Sequence, residues 1–87
     1  MTESREEVID SIVMIANHLN LPSYNKFVTY VGWTLPELVK MIVYDMFLKK
    51  FSYDDASRQS HEVFKAFAII ECYARELENN GFVEFNQ

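Results

Sequence analysis

The segment from Leu35 to Phe51 is the feature of this sequence that most restricts the fold. Its apolar residues are Leu35, Leu38, Val39, Met41, Ile42, Val43, Met46, Phe47, Leu48 and Phe51. At 100° per residue these side chains cover most of a helix circumference, which is typical of a helix buried on several sides. In a chain of 87 residues, such a helix is either the central helix of the fold or one shared with another subunit. Asp45 and Lys49 are expected to pair on its remaining polar strip.

Capping signals define the helix boundaries. Thr34 and Glu37 form a capping box at the start of the 35–51 helix, and Pro36 lies in its first turn, where the missing amide costs little. Ser4 and Glu7 form the same motif ahead of Val8, Ile12, Ile15 and Leu19, whose spacing predicts a first helix over 4–19. This helix should end before Pro22, because the residue before proline avoids the helical region.

The segment 23–32 is open to two interpretations. Ser23 is a possible N-cap for a short helix that Gly32 would end in the left-handed conformation. However, residues 27–31 read Phe-Val-Thr-Tyr-Val, a run rich in strand formers. We favour the short helix, because the neighbouring segments are helical and a single strand would lack a partner.

A last helical segment begins near Ser52 or Asp54 and extends to Asn79, with Gly81 as the left-handed residue after it. The polar stretch 54–61 is either part of this helix or a separate turn or short helix. Phe82 is expected to fold back towards Leu77. The sequence therefore predicts a single all-α domain over 1–87, a small bundle of three to five helices with a central apolar helix near 35–51.

Charge and composition restrict the function classes. The chain carries 13 acidic and 8 basic residues, a net charge of −5, and its bases are scattered, which disfavours nucleic-acid binding. One cysteine rules out a disulfide framework. The polar, acidic first residues do not resemble a signal peptide, and no apolar run reaches the length of a membrane span. We expect a cytoplasmic protein.

No pattern of residues points to catalysis, a metal or a cofactor. His18, His61 and Cys72 lack any recognised metal-ligand spacing, and the histidines are expected to be ordinary helix or cap residues. Cys72 falls in the middle of a helix beside its apolar stripe, so a packed or half-buried thiol is expected. The paired acids 6–7 and 54–55 fall at helix starts, where the helix dipole favours them. We expect a non-enzymatic protein without cofactors.

Aromatic residues are the remaining functional signal. The residues Tyr24, Tyr30, Trp33, Tyr44, Tyr53, Phe82 and Phe85 cannot all be central in so small a core. Either they cap the core with their polar ends in water, or some of them form an interface, where Tyr and Trp are favoured anchors. The candidate interface residues are Tyr30, Trp33, Tyr44, Phe47, Phe51, Phe82 and Phe85.

The leading hypothesis is a protein-protein interaction module that forms a homodimer or binds another protein. It would be a small regulatory, adaptor or inhibitor protein, a type common among factors encoded by phages and viruses.

The alternative is a DNA-binding regulator. Residues 24–41 can be aligned with a helix-turn-helix frame that has Gly32 in its turn. Residues 26–31 followed by 34–40 resemble the strand and helix that open ribbon-helix-helix repressors, over about 15 residues. The sequence departs from both patterns, since the expected recognition helix has few side chains that read bases and a whole helix precedes the strand-like run.

Overall fold

The computed structural model describes residues 4–81, which fold into five α-helices. These are α1 (Arg5–His18), α2 (Tyr24–Phe27), α3 (Leu35–Leu48), α4 (Tyr53–Ser57) and α5 (His61–Asn79). The described part of the chain contains no β-strand, so the all-α class is confirmed and the ambiguous run 27–31 does not form a strand. None of these helices is both long enough and apolar enough to cross a membrane.

The core forms where α1, α3 and α5 meet. The most extensive helix pairing joins α1 to α5, and α3 packs against both, while α2 packs on α1 and α4 on α5. The largest side chains fully removed from water are Val8, Ile12, Ile15, Leu38, Val39, Ile42 and Ile70. In α1 and α3 these residues recur at three- and four-residue intervals, so each helix turns one apolar stripe inward.

Side-chain caps begin four of the five helices, whereas Ser23 makes no side-chain cap bond at α2. At α1, Ser4 accepts from the Glu7 amide at 3.1 Å without the return bond of the predicted capping box. The Glu37 amide donates to Thr34 Oγ1 at 3.3 Å and the Thr34 amide donates to the Glu37 carboxylate at 2.9 Å, which completes the capping box of α3. Ser52 and Asp55 form a second box at the start of α4. Ser60 then caps α5 separately. The polar stretch is therefore a separate short helix, one of the two predicted alternatives.

Two helices end on a residue other than glycine in the left-handed conformation. Asn20 has φ 62° after α1 and Lys50 has φ 56° after α3. The next amides reach back across the last turn, from Leu21 to the Ala16 carbonyl at 2.8 Å and from Phe51 to the Met46 carbonyl at 2.9 Å. These are the bonds of the Schellman motif. As a result α3 ends at Leu48, three residues before the predicted end.

The two glycines differ in their roles. Gly81 has φ 75° directly after the α5 C-cap, as predicted. The prediction for Gly32 is wrong, because α2 already ends at Phe27 and Gly32 does not have a positive φ. Instead, the ring of Tyr30 lies against the Gly32 backbone, where a β-carbon would collide with it. The glycine therefore permits a close side-chain approach.

Replacing Lys50 with glycine is expected to raise the free energy of unfolding by about 0.5–1 kcal/mol, because glycine adopts a positive φ without the steric cost of a β-carbon. Urea unfolding followed by circular dichroism measures the change. The matched control is Asn20→Gly, for which we expect only a few tenths of a kcal/mol, since asparagine tolerates this conformation. A loss of stability in Lys50→Gly would show that the lysine side chain makes a contact worth more than the backbone strain.

Candidate interaction surface

The outward side of α3 carries exposed apolar residues. Tyr44 is 61% exposed, Phe47 77% and Leu48 57%, and Met41 is half-buried beside them. These four residues, which we call the outer face of α3, are spaced at three and four residues and so share one side of the helix. The fully buried residues of α3 occupy the opposite side.

This arrangement accounts for the unusual apolar circumference of the segment. Within a single chain, α1 and α5 cover one side of α3, and the outer face meets water. Taking 150–250 Å² for an aromatic side chain, the three most exposed residues present roughly 400 Å² to solvent. A contiguous patch of that size lies in the range at which surface patches on monomers are often functional.

Charged residues border the outer face unevenly along the helix. Glu37 lies in the first turn, where hydrogen bonds from the Thr34 amide and hydroxyl hold the pKa of its carboxyl below the ordinary value. Lys49 and Lys50 follow the last turn, and Lys40 is exposed between the two ends. The surface is therefore acidic where α3 begins and basic where it ends.

The structure places the predicted interface residues in different surroundings. Tyr44 and Phe47 share the outer face, and Tyr30 is 62% exposed in the loop that precedes α3. Trp33 is half-buried against Phe27, with ring centroids 5.9 Å apart. Phe51 is also half-buried, because the Schellman turn directs it back towards the core.

The ring of Phe51 lies 5.2 Å from that of His18 and 5.8 Å from that of Phe67. The predicted residues Phe82 and Phe85 lie outside the described residues. The sequence-based prediction did not include Met41 and Leu48 among the interface residues. Their positions beside Tyr44 on the helix wheel were the signal that could have identified them.

Tyr24 is not one of the surface aromatics. It is 2% exposed, and its hydroxyl donates a hydrogen bond to the carboxylate of Asp45 at 2.5 Å. Burial, followed by this hydrogen bond, raises the pKa of the Tyr24 hydroxyl well above its ordinary value. The predicted pair between Asp45 and Lys49 is wrong, because Asp45 accepts from Tyr24 and does not form an ion pair with Lys49; ion pairs within the described residues include Asp55–Arg58 and Glu71–Arg75. Asp45 instead connects α3 to α2.

Tyr53 occupies an intermediate position. Its side chain is 61% exposed, yet one edge of the ring packs against Phe64 and Phe67, with centroids 5.4 Å and 6.2 Å away. It covers the end of the core, as the alternative interpretation of the aromatic residues expected.

The candidate reactive groups occupy different positions along α1 and α5. His18 is the last residue of α1 and His61 the first of α5. Cys72 is exposed on α5, so the prediction of a packed or half-buried thiol is wrong, because the residue lies beside the apolar stripe and not within it. Across the described residues, no group of three or more His, Cys, Asp or Glu is arranged to hold a metal ion.

A shallow, open groove of about 240 Å³ runs between α1 and α5. Its lining consists of Glu7, Asp10, Ser11, Met14, Glu62, Lys65, Ala66 and Ile69. The three carboxylates make this groove predominantly acidic.

Residues 24–41, which can be aligned with a helix-turn-helix, form a shorter first helix and a longer connection than that motif has. A helix-turn-helix joins its helices by a turn of three or four residues, whereas α2 is a single turn of four residues and residues 28–34 separate it from α3. The strand required by the ribbon-helix-helix resemblance is absent from residues 26–31.

Comparison of the chain with protein-family models, with curated proteins and with solved structures found no significant match.

Proposed function

We propose that this chain is a non-enzymatic protein interaction module, a small regulatory, adaptor or inhibitor protein, and that it acts through the outer face of α3. The observation that carries the proposal is the exposure of Phe47, Tyr44 and Leu48 on one side of a regular, capped helix. We further propose that the protein forms a homodimer through this face.

The energetics of the outer face favour a partner. Each square ångström of apolar surface removed from water contributes about 25 cal/mol, and large side chains near the centre of an interface dominate binding. The outer face lies on a helix whose other side is fixed in the core by Leu38, Val39 and Ile42. A partner would therefore meet a surface that is already ordered, which reduces the conformational entropy lost on binding.

Replacing Phe47 with lysine should weaken self-association by at least about 30-fold, the effect of losing a contact worth about 2 kcal/mol. Light scattering and sedimentation over a range of concentrations measure the solution mass. The matched control is Ala68→Lys, which adds the same charge at an exposed helical position on α5 and should leave the dimer intact.

Two results would contradict this proposal. The first is a wild-type chain that stays monomeric at the highest accessible concentration. The second is equal weakening by Phe47→Lys and Ala68→Lys, which would assign the effect to charge and not to the outer face of α3. Circular dichroism of both variants verifies that each remains helical.

A further inference from the structure

We propose that two copies of the chain pair outer face to outer face with their α3 helices antiparallel and with Tyr44 of each copy at the two-fold axis. This inference rests on the proposed homodimer and specifies its geometry. It is carried by the pattern of the outer face, by the distribution of charge along α3 and by the area available.

The outer face together with the neighbouring Lys40 is symmetrically disposed about Tyr44. Met41 precedes it by three residues and Phe47 follows by three, while Lys40 precedes it by four and Leu48 follows by four. A two-fold axis through Tyr44 makes the interface self-complementary, so that a residue before Tyr44 meets the residue equally far after it in the second copy. Met41 then lies level with Phe47 of the second copy across the seam, and Lys40 lies level with Leu48 of the second copy.

These pairs are favourable ones. A methionine sulfur and an aromatic ring attract one another, and the aliphatic stem of lysine can cover leucine while its ammonium group reaches water. The two Tyr44 rings meet at the centre in an offset arrangement. A parallel pairing would instead place Lys40 against Lys40 and bring like charges together.

The charges at the two ends of α3 support the same direction. Glu37 lies at the start of the helix and Lys49 and Lys50 directly follow its end, so antiparallel copies place the acidic end of one beside the basic end of the other. The helix dipoles also oppose one another in this arrangement. In a parallel pair, the two acidic ends would lie beside each other and so would the two basic ends, which places like charges together.

The available area matches a weak dimer. Two outer faces bring together roughly 800 Å² from their three most exposed side chains, and Lys40 and Met41 extend the contact. Stable interfaces bury about 1,200–2,000 Å² in total. The pairing therefore falls below that range, in the class of weak interfaces that form and dissociate with concentration.

Single cysteines test the pairing in the full chain. Because Cys72 is the one native cysteine and is exposed, the Cys72→Ser background leaves no other thiol. Three variants are made in it, Lys40→Cys, Tyr44→Cys and Leu48→Cys, and each is oxidised gently near the concentration at which the wild type dimerises. A disulfide needs Cα atoms closer than about 7 Å, so covalent dimers report which positions face each other.

The expected result is a covalent dimer from Tyr44→Cys alone, little from Lys40→Cys or Leu48→Cys alone, and an abundant one when those two proteins are mixed. Strong cross-linking of Lys40→Cys with itself and of Leu48→Cys with itself would show a parallel pair and overturn the proposal. So would a dimer in which none of the three positions cross-links, because the outer face would then lie outside the interface. The first result leaves the proposed homodimer through the outer face standing, the second removes that proposal as well, and a monomeric wild type removes it before any cross-linking.

The other possible occupant of the face is the chain's own C-terminal segment, residues 82–87. The full-length double variant Phe82→Lys/Phe85→Lys distinguishes it from a second copy. An unchanged dimer in this variant supports pairing between copies. A wild-type monomer that becomes dimeric in this variant would assign the outer face to residues 82–87 and overturn the proposal.

Discussion

Replacing Ile42 with alanine is expected to lower the free energy of unfolding by about 2–5 kcal/mol. Ile42 is fully buried in the side of α3 that faces the core, so the shorter side chain loses buried apolar surface and leaves a cavity that the packed helices fill only in part. A domain of this length has a stability on the order of 4–13 kcal/mol. The substitution therefore removes a large fraction of the stability and can leave part of the protein unfolded at 37 °C.

The matched control for Ile42→Ala is Leu48→Ala, which shortens an aliphatic side chain in the last turn of the same helix. Leu48 is 57% exposed, so its loss should change the free energy of unfolding by about 0.5 kcal/mol or less. Both are measured by urea unfolding at a protein concentration low enough to keep the chain monomeric. Equal losses for the two variants would contradict the assignment of one side of α3 to the core and the other to water.

The helices and their beginnings could be predicted because their signals are local. A side-chain N-cap satisfies an amide three residues away, as at Ser4, Thr34 and Ser52, so the sequence contains the whole motif. The apolar spacing in α1 and α5 likewise depends only on the helical repeat. These two signals account for the correct all-α prediction.

The helix ends were less predictable, because a left-handed residue other than glycine leaves no clear mark in the sequence. Lys50 adopts that conformation, although lysine has no local preference for it. The amide bonds of the last turn and the packing of Phe51 beside His18 and Phe67 stabilise the turn. The predicted helix therefore continued to residue 51, where the chain has already reversed direction.

The exposed side of α3 was predicted only in part, since Tyr44 and Phe47 lie on it and Phe51 does not. The excess apolar circumference of residues 35–51 indicated that one helix side would lack a partner within the chain. Which side is exposed depends on how α1 and α5 pack against α3, and that packing is set by contacts between distant segments. Phe51 was therefore assigned to the interface, whereas the structure packs it against Phe67.

Replacing Tyr24 with phenylalanine is expected to lower the free energy of unfolding at pH 7 by about 1.5–3 kcal/mol. The hydroxyl donates to the half-buried carboxylate of Asp45, and a hydrogen bond to a charged group contributes about that much. The ring itself is retained, so its edge contact with Phe27 at 5.4 Å should persist. Urea unfolding at pH 7 measures the loss.

The same variant should also change how stability depends on alkaline pH. Burial and the Asp45 carboxylate raise the pKa of Tyr24 in the folded chain, so above pH 10 the unfolded tyrosine loses its proton while the folded one keeps it. The unfolded state then binds fewer protons, and the contribution of Tyr24 to stability falls by about 1.4 kcal/mol per pH unit as pH rises. Tyr24→Phe lacks this contribution. The amount by which its free energy of unfolding falls below that of the wild type, its deficit, should therefore shrink between pH 9 and pH 11.

The difference in free energy of unfolding between the wild type and Tyr24→Phe separates the contribution of Tyr24 from those of the other titrating groups. Tyr73, whose pKa is also raised, first by burial and then by Glu76, is present in both proteins and cancels in the comparison. A deficit that stays constant from pH 9 to pH 11 would mean that the folded chain does not hold the Tyr24 hydroxyl neutral. A deficit that is already absent at pH 7 would mean that the hydrogen bond to Asp45 contributes nothing to holding α2 against α3.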